Sequence, residues 1–203
     1  MLRFNSKGAT IEKWTSPLKA YSEESTPDSQ PSAPAPTPTP TPPKNKSADD
    51  LIYEKTNKAY IAKTIPAAEA FATFMTLAKR GHIKSNRAVG YMYGKGSGVT
   101  KDEQKSIKYN LTAAKAGHKS ATFSVGIAYD YGRGVKMDKA QARGWYRKAA
   151  KLGHTGAMNN LGYAYLQGEG VETNYQLSRK WLLCGATRKS ALAANSLGAM
   201  YAY

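Results

Sequence analysis

Three histidines, His82, His118 and His154, are the only ones in the chain, and they stand 36 residues apart. Imidazole is a common zinc ligand, but zinc needs its nitrogens roughly 2 Å away. Equal spacing places each ring in its own structural unit. Packed helices are already about 8–10 Å apart, so the three rings do not converge on one ion. Each histidine follows the glycine that ends a helix, where bonding to last-turn carbonyls or a favourable place in the helix dipole accounts for it.

Gly132-Arg133-Gly134 beside Lys136 has the composition of a phosphate cradle. No strand precedes it, and the pattern recurs at Gly96-Ser97-Gly98 and Gly168-Glu169-Gly170, once per unit, as a structural turn does. The carboxylates are scarce and explained. Asp102 and Asp138 precede helices as caps, Glu169 and Glu172 lie in or beside a turn, and Asp130 stands at a helix end. No pair of carboxylates, Ser/His/Asp set or Cys/His set can be assembled for acid–base or nucleophilic work. Cys184, the single cysteine, reads as a small buried hydrophobe and excludes an internal disulfide. The chemistry therefore predicts no catalytic residues, no metal and no cofactor.

These residues are positioned by a repeat. Gly90, Gly126, Gly162 and Gly198 are 36 apart, as are Tyr93, Tyr129, Tyr165 and Tyr201. A fixed period of this length marks stacked helical units. Clear units span 84–119, 120–155 and 156–191, a diverged unit spans 49–83, and a partial one spans 192–203. In the second clear unit a first helix runs from Ser120 to Tyr131, with Ala121, Val125, Ala128 and Tyr129 on one face. After the turn and Val135, Asp138 caps a second helix from Lys139 to Leu152, and Gln141 completes a capping box. Gly153 ends it. In the diverged unit Asp49 or Asp50 caps a helix to about Lys63. Pro66 then suits the first turn of a helix over 67–80. Glycine inside a helix costs about 1 kcal/mol against alanine. Its return at Gly90, Gly126 and Gly162 predicts close helix contact with a neighbouring aromatic in the space, alongside Trp145 and Trp181 on the second helices.

Residues 1–48 differ in kind. Pro31 to Lys46 is a Pro/Thr-rich stretch expected to form a semi-rigid linker, preceded by a disordered or docking arm. No apolar run reaches the roughly 18–20 residues of a membrane span, no secretory signal is recognisable, and a cytoplasmic location is expected. The net charge of +16 is concentrated in the repeats: residues 84–203 carry 19 Lys+Arg against 6 Asp+Glu. Such a field raises the prospect of nucleic acid or another anionic partner. However, Tyr93, Tyr129 and Tyr165 share the packing face, and Lys79, Lys115 and Lys151 fall on second helices, which line the outside. A protein or peptide partner is the stronger reading.

The arrangement Ala121, Val125, Gly126, Tyr129, Gly132, Gly134, Val135, Asp138, Ala142, Trp145, Tyr146, Ala149, Ala150 and Gly153 resembles the SEL-one-like repeat of the tetratricopeptide-like superfamily. Ala157, Leu161, Gly162, Tyr165, Gly168, Gly170, Val171, Asn174 and Trp181 continue it. The resemblance implies an all-α, right-handed α/α solenoid of helix-turn-helix repeats, acting as a non-catalytic interaction scaffold or adaptor. Small bacterial members are also similar to immunity or effector-associated proteins. The first helices of such a solenoid line its concave face. Outside the packing set that face offers Arg87, Tyr91, Phe123, Ile127, Asn159 and Tyr163 as partner-binding residues, of types found in binding hot spots. Tyr91, Phe123, Ile127 and Tyr163 are equally explained as inter-repeat core. The partial last unit, bearing Gly198, is a candidate for self-association.

Overall fold

The architecture is built from one helix pair repeated along the chain. The structure, a computed structural model, describes residues 46–188 and 190–201, with only the backbone described at 200 and 201. The expected arm and linker lie outside the described residues, apart from 46–48. The described elements are α1 (Ala48–Ile61), α2 (Ala67–Lys79), α3 (Ile83–Lys95), α4 (Glu103–Lys115), α5 (Lys119–Tyr131), α6 (Lys139–Lys151), α7 (Thr155–Gln167), α8 (Tyr175–Ala186) and α9 (Ala191–Tyr201). There is no strand among the described residues. Consecutive helices pack on one another throughout, and α9 also touches α7. This is the all-α solenoid expected from the 36-residue period.

The turn inside each pair explains the Gly-x-Gly spacing. Gly132 ends α5 in the left-handed region at φ +67°, and its N–H bonds Ala128 O; Gly96 and Gly168 end α3 and α7 in the same way. The second glycine, at φ +69° in Gly98, +71° in Gly134 and +67° in Gly170, serves a different need. A Cβ there would run into the first residue of the preceding pair's second helix: Ala67, Glu103 and Lys139 respectively. The turn of one repeat is thus seated on the helix start of the one before. The cap residue then closes the turn: Asp102 N–H donates to Tyr93 O at 2.9 Å, Asp138 N–H to Tyr129 O at 2.8 Å, and Asn174 N–H to Tyr165 O at 2.8 Å. Their side chains accept from Lys105, Gln141 and Leu177 N–H, as N-caps do. Gln141 completes the box differently from expectation, donating its amide to the Asp138 carboxylate at 3.1 Å.

Several local expectations are corrected. The histidines begin helices rather than end them. His118 Nδ1 accepts from Ala121 N–H and His154 Nδ1 from Ala157 N–H, each at 3.3 Å. Only three residues separate one pair from the next, as in Ala116-Gly117-His118 and Leu152-Gly153-His154, and the histidine, last of them, is the N-cap of the following helix. Ser47 caps α1, accepting from Asp50 N–H at 3.1 Å. Asp49 and Asp50 fall in the first turn, where carboxylates favour the dipole. Lys84, then Ser47 and His82, hold the Asp50 carboxyl far below the ordinary carboxylate range, tying α1 to α3. Pro66 is the extended residue before α2 and not its first turn.

The helical glycines do mark close contact, but an aromatic fills the space only once. A Cβ on Gly126 would lie 2.6 Å from Tyr146 Cδ1, whereas Gly90 is covered by Asn110 and Gly162 by Leu182. Gly198 has nothing within 4 Å. Small residues line the seams between helices: Ala113, Ala121, Ala149 and Ala157 are fully buried. Phe74, Met92, Val125, Leu161 and Leu182 supply the bulk. Trp181 is buried and Trp145 partly so, with Lys148 Nζ 4.5 Å from its ring centroid.

Candidate functional site

The six residues expected on the concave face take three different roles. Tyr91 and Tyr163 are exposed, at 44% and 47%. Phe123 is inter-repeat core: its ring stacks on His154 at 4.2 Å and tilts against Tyr146 at 5.6 Å. Asn159 is engaged with the last helix, accepting from Ser196 Oγ at 2.9 Å. Ile127 is partly buried. Arg87, one repeat before Phe123, is also partly buried, and its guanidinium carbon lies 5.5 Å from the Tyr91 ring centroid. Burial pushes its pKa below the usual arginine value, and its Nε has no hydrogen-bond partner.

Two grooves bring these residues together, and they are one groove repeated. The first, about 650 Å³, lies between α3, α4 and α5 and is lined by Arg87, Tyr91 and Ile127 with Lys95, Lys101, Asn110 and Arg133. The second, about 350 Å³, lies between α5, α6 and α7 and is lined by Asn159 and Tyr163 with Asp130, Lys139, Arg143, Tyr146 and Glu169. Position 110 in the first corresponds to 146 in the second, 94 to 130 and 133 to 169. Phe123 lines neither.

The difference between the grooves follows from those substitutions. In the second, Tyr146 extends past Gly126 and donates its hydroxyl to Asp130 Oδ2 at 2.8 Å, filling the space. Burial, then that bond to Asp130, raises the phenol pKa. Lys139 Nζ bridges Asp130 at 2.8 Å and Glu169 at 3.5 Å, and Arg143 donates to Gly170 O. Charge there is matched internally. In the first groove Asn110 stops beside Gly90 and Gly94 replaces the aspartate, leaving the space open. Glu103 is its one acidic lining residue and is held by Lys101 at 2.8 Å.

The sequence stripe missed Lys95, Lys101, Asn110 and Arg133. Setting Asn110 against Tyr146 and Gly94 against Asp130 in the repeat phase carries that signal. Cys184 is buried, as expected, with Arg188 Nη1 3.4 Å from its sulfur. Among the described residues no group of three His, Cys, Asp or Glu side chains could hold a metal ion. No helix among them is long and apolar enough to cross a membrane.

Comparison with known proteins gives a consistent result. The Sel1 repeat family model matches residues 83–118, 119–154 and 155–190. No curated protein matches the chain. Among solved structures the chain is similar to c5321, a protective antigen of uropathogenic Escherichia coli strains displaying an SLR fold. Identity is 34% and TM-score 0.71, over 75% of this chain and 33% of that one. It is also similar to a Sel1 repeat protein from Oxalobacter formigenes, at 27% identity and TM-score 0.71, over 76% of this chain and 66% of that one. Likeness to the immunity protein Pa5087 from Pseudomonas aeruginosa, at 23% identity and TM-score 0.58 over 78% of this chain and 60% of that one, shows a shared fold alone. The chain thus spans from 33% to 66% of these proteins' own lengths.

Proposed function

The chain belongs to the Sel1 repeat family, and we propose that it is a non-catalytic scaffold whose concave face holds a protein or peptide. Sel1 repeat proteins generally mediate protein–protein interaction. The observation that carries the reading is the exposure of Tyr91 and Tyr163, two large aromatics on first helices that line the two grooves. Exposed aromatics anchor interfaces because they bury much area at small entropic cost. Partner identity follows from affinity capture out of the source organism. A Tyr91→Ala/Tyr163→Ala variant and an Arg87→Ala variant should lose the captured protein while helicity by circular dichroism stays at the wild-type level. Undiminished capture by these variants, or loss of fold in the tyrosine pair, would overturn the assignment.

The net charge of +16 favours a second reading, nucleic acid as partner. Retardation of generic DNA or RNA should then be strong at about 50 mM salt and fall steeply by about 200 mM. Absence of retardation at the lower salt removes that reading.

A further inference from the structure

The geometry points to the first groove as the seat of an acidic segment of a protein partner, with a carboxylate side chain on Arg87. This deepens the scaffold reading and rests on it. Four cations, Arg87, Lys95, Lys101 and Arg133, line that groove against the single Glu103. Arg87 is partly buried, its Nε lacks a partner, and no ion pair of Arg87 occurs among the described residues. A desolvated guanidinium is costly unless an anion meets it, and its planar fork matches a carboxylate. The Asn110 carbonyl oxygen is the groove's other buried atom without a partner, and it requires a donor, which a peptide N–H supplies.

The second groove shows what the first lacks. There the space is filled by Tyr146, the cation Lys139 is held by Asp130 and Glu169, and no charge is left over for a ligand. Having Asn for Tyr at 110, Gly for Asp at 94 and Arg for Glu at 133 opens the space and leaves positive charge in excess. The same comparison favours a peptide over a nucleic acid. A phosphodiester backbone following the concave face from the first groove would meet Asp130 and Glu169 one repeat further on, where a continuous cationic track is needed. The cationic character is confined to one pocket, which suits a discrete acidic anchor.

The test uses the full chain, isotopically labelled, and a short peptide of alternating Glu and Gly, with its Gln/Gly counterpart and a single-stranded oligonucleotide as comparisons. The Glu peptide should shift the amides of Gly90, Gly94 and Ser124, and the Gln peptide should not. Asn110→Tyr/Gly94→Asp, which copies the filling of the second groove into the first, should weaken Glu-peptide binding by roughly tenfold or more, the scale of one charge-assisted hydrogen bond. Arg87→Gln removes the charge with a shorter polar side chain, without filling the groove, and should weaken Glu-peptide binding to a similar degree. No binding of the Glu peptide, binding by both variants as tight as by the wild-type chain, or shifts at these amides with the oligonucleotide alone overturns the inference. A captured partner that survives Asn110→Tyr/Gly94→Asp yet is lost in Tyr91→Ala/Tyr163→Ala also sinks the acidic anchor. That outcome leaves the scaffold reading standing.

Discussion

At the scale of single residues, two glycines on adjacent helices carry opposite predictions. A Cβ on Gly126 would press into the Tyr146 ring at 2.6 Å, whereas one on Gly144 would meet nothing within 4 Å. Overpacking typically costs about 1–3 kcal/mol, while relief of glycine's backbone entropy gains about 0.5–1 kcal/mol. Gly126→Ala should therefore lower the thermal midpoint and Gly144→Ala raise it. The histidine caps make a further prediction. Burial first, then Arg87, lowers the pKa of His118; burial first, then Lys119 and Arg87, lowers that of His154. Their neutral rings accept the capping N–H bonds, and a protonated ring cannot. With folded pKa values below the ordinary 6.5, the unfolded chain binds protons first as pH falls. Their stabilisation is complete above 6.5 and is lost as pH drops below it. His118→Asn/His154→Asn replaces the capping ring nitrogen with an amide oxygen and removes the titration. Melting curves between pH 8 and pH 5 should fall less steeply for that variant, and an unchanged slope would refute the linkage.

At the scale of the element, the turn between paired helices is a designed joint, and its two kinds of residue should differ in cost. Asn174→Ala removes one capping bond and should destabilise by about 1 kcal/mol. Gly134→Ala forces a side chain into the left-handed region and against the Glu103 carbonyl. It should cost more than the cap, in the range of about 1–3 kcal/mol set by strained backbone, when both are measured by denaturant unfolding. The helix pair itself was legible because its signals are local: alternating faces, caps three residues before the N–H groups that donate to them, and glycines at helix ends. What the second glycine touches was not, since Ala67, Glu103 and Lys139 lie in the preceding repeat. The cover over Gly90, Gly126 and Gly162 stayed hidden for a related reason. It comes from a second helix and changes from Asn110 to Tyr146 to Leu182, so no single residue type announces it. The histidines were misplaced because the linker between pairs is only three residues long and ends in Gly-His, so either helix end is compatible with the sequence. For the six residues expected on the concave face, spacing offered only a shared side of the first helices. The division into exposed Tyr91 and Tyr163 and packed Phe123 depended on neighbours.

At the scale of the whole molecule, a stack of helix pairs has stability that is a sum of units and their interfaces, so position along the stack matters. The described interior helices are buried on two sides: α5 carries Ala121, Thr122, Val125, Gly126 and Ala128 inside, and α7 carries Ala157, Met158, Leu161, Gly162 and Tyr165. At the margins α1 has no buried residue, and on α9 Leu192 is 67% exposed while Gly198 lacks cover. Local opening follows such differences in burial and contact. Amide hydrogen exchange should therefore be slowest in α4 to α7 and fastest in α1 and α9. The graded pattern also dictates how a cavity spreads. Leu161→Ala, at a site with 0% exposure, should remove about 2–5 kcal/mol. In a nearest-neighbour stack that loss falls on α7, α8 and α9, whereas α2 and α3, buttressed by Phe74, Val89 and Met92 in their own cluster, keep most of their protection. If Leu161→Ala accelerates exchange in α2 and α3 as much as in α8, the chain unfolds as one cooperative body. Its repeats would then be coupled more tightly than contact between neighbours alone provides.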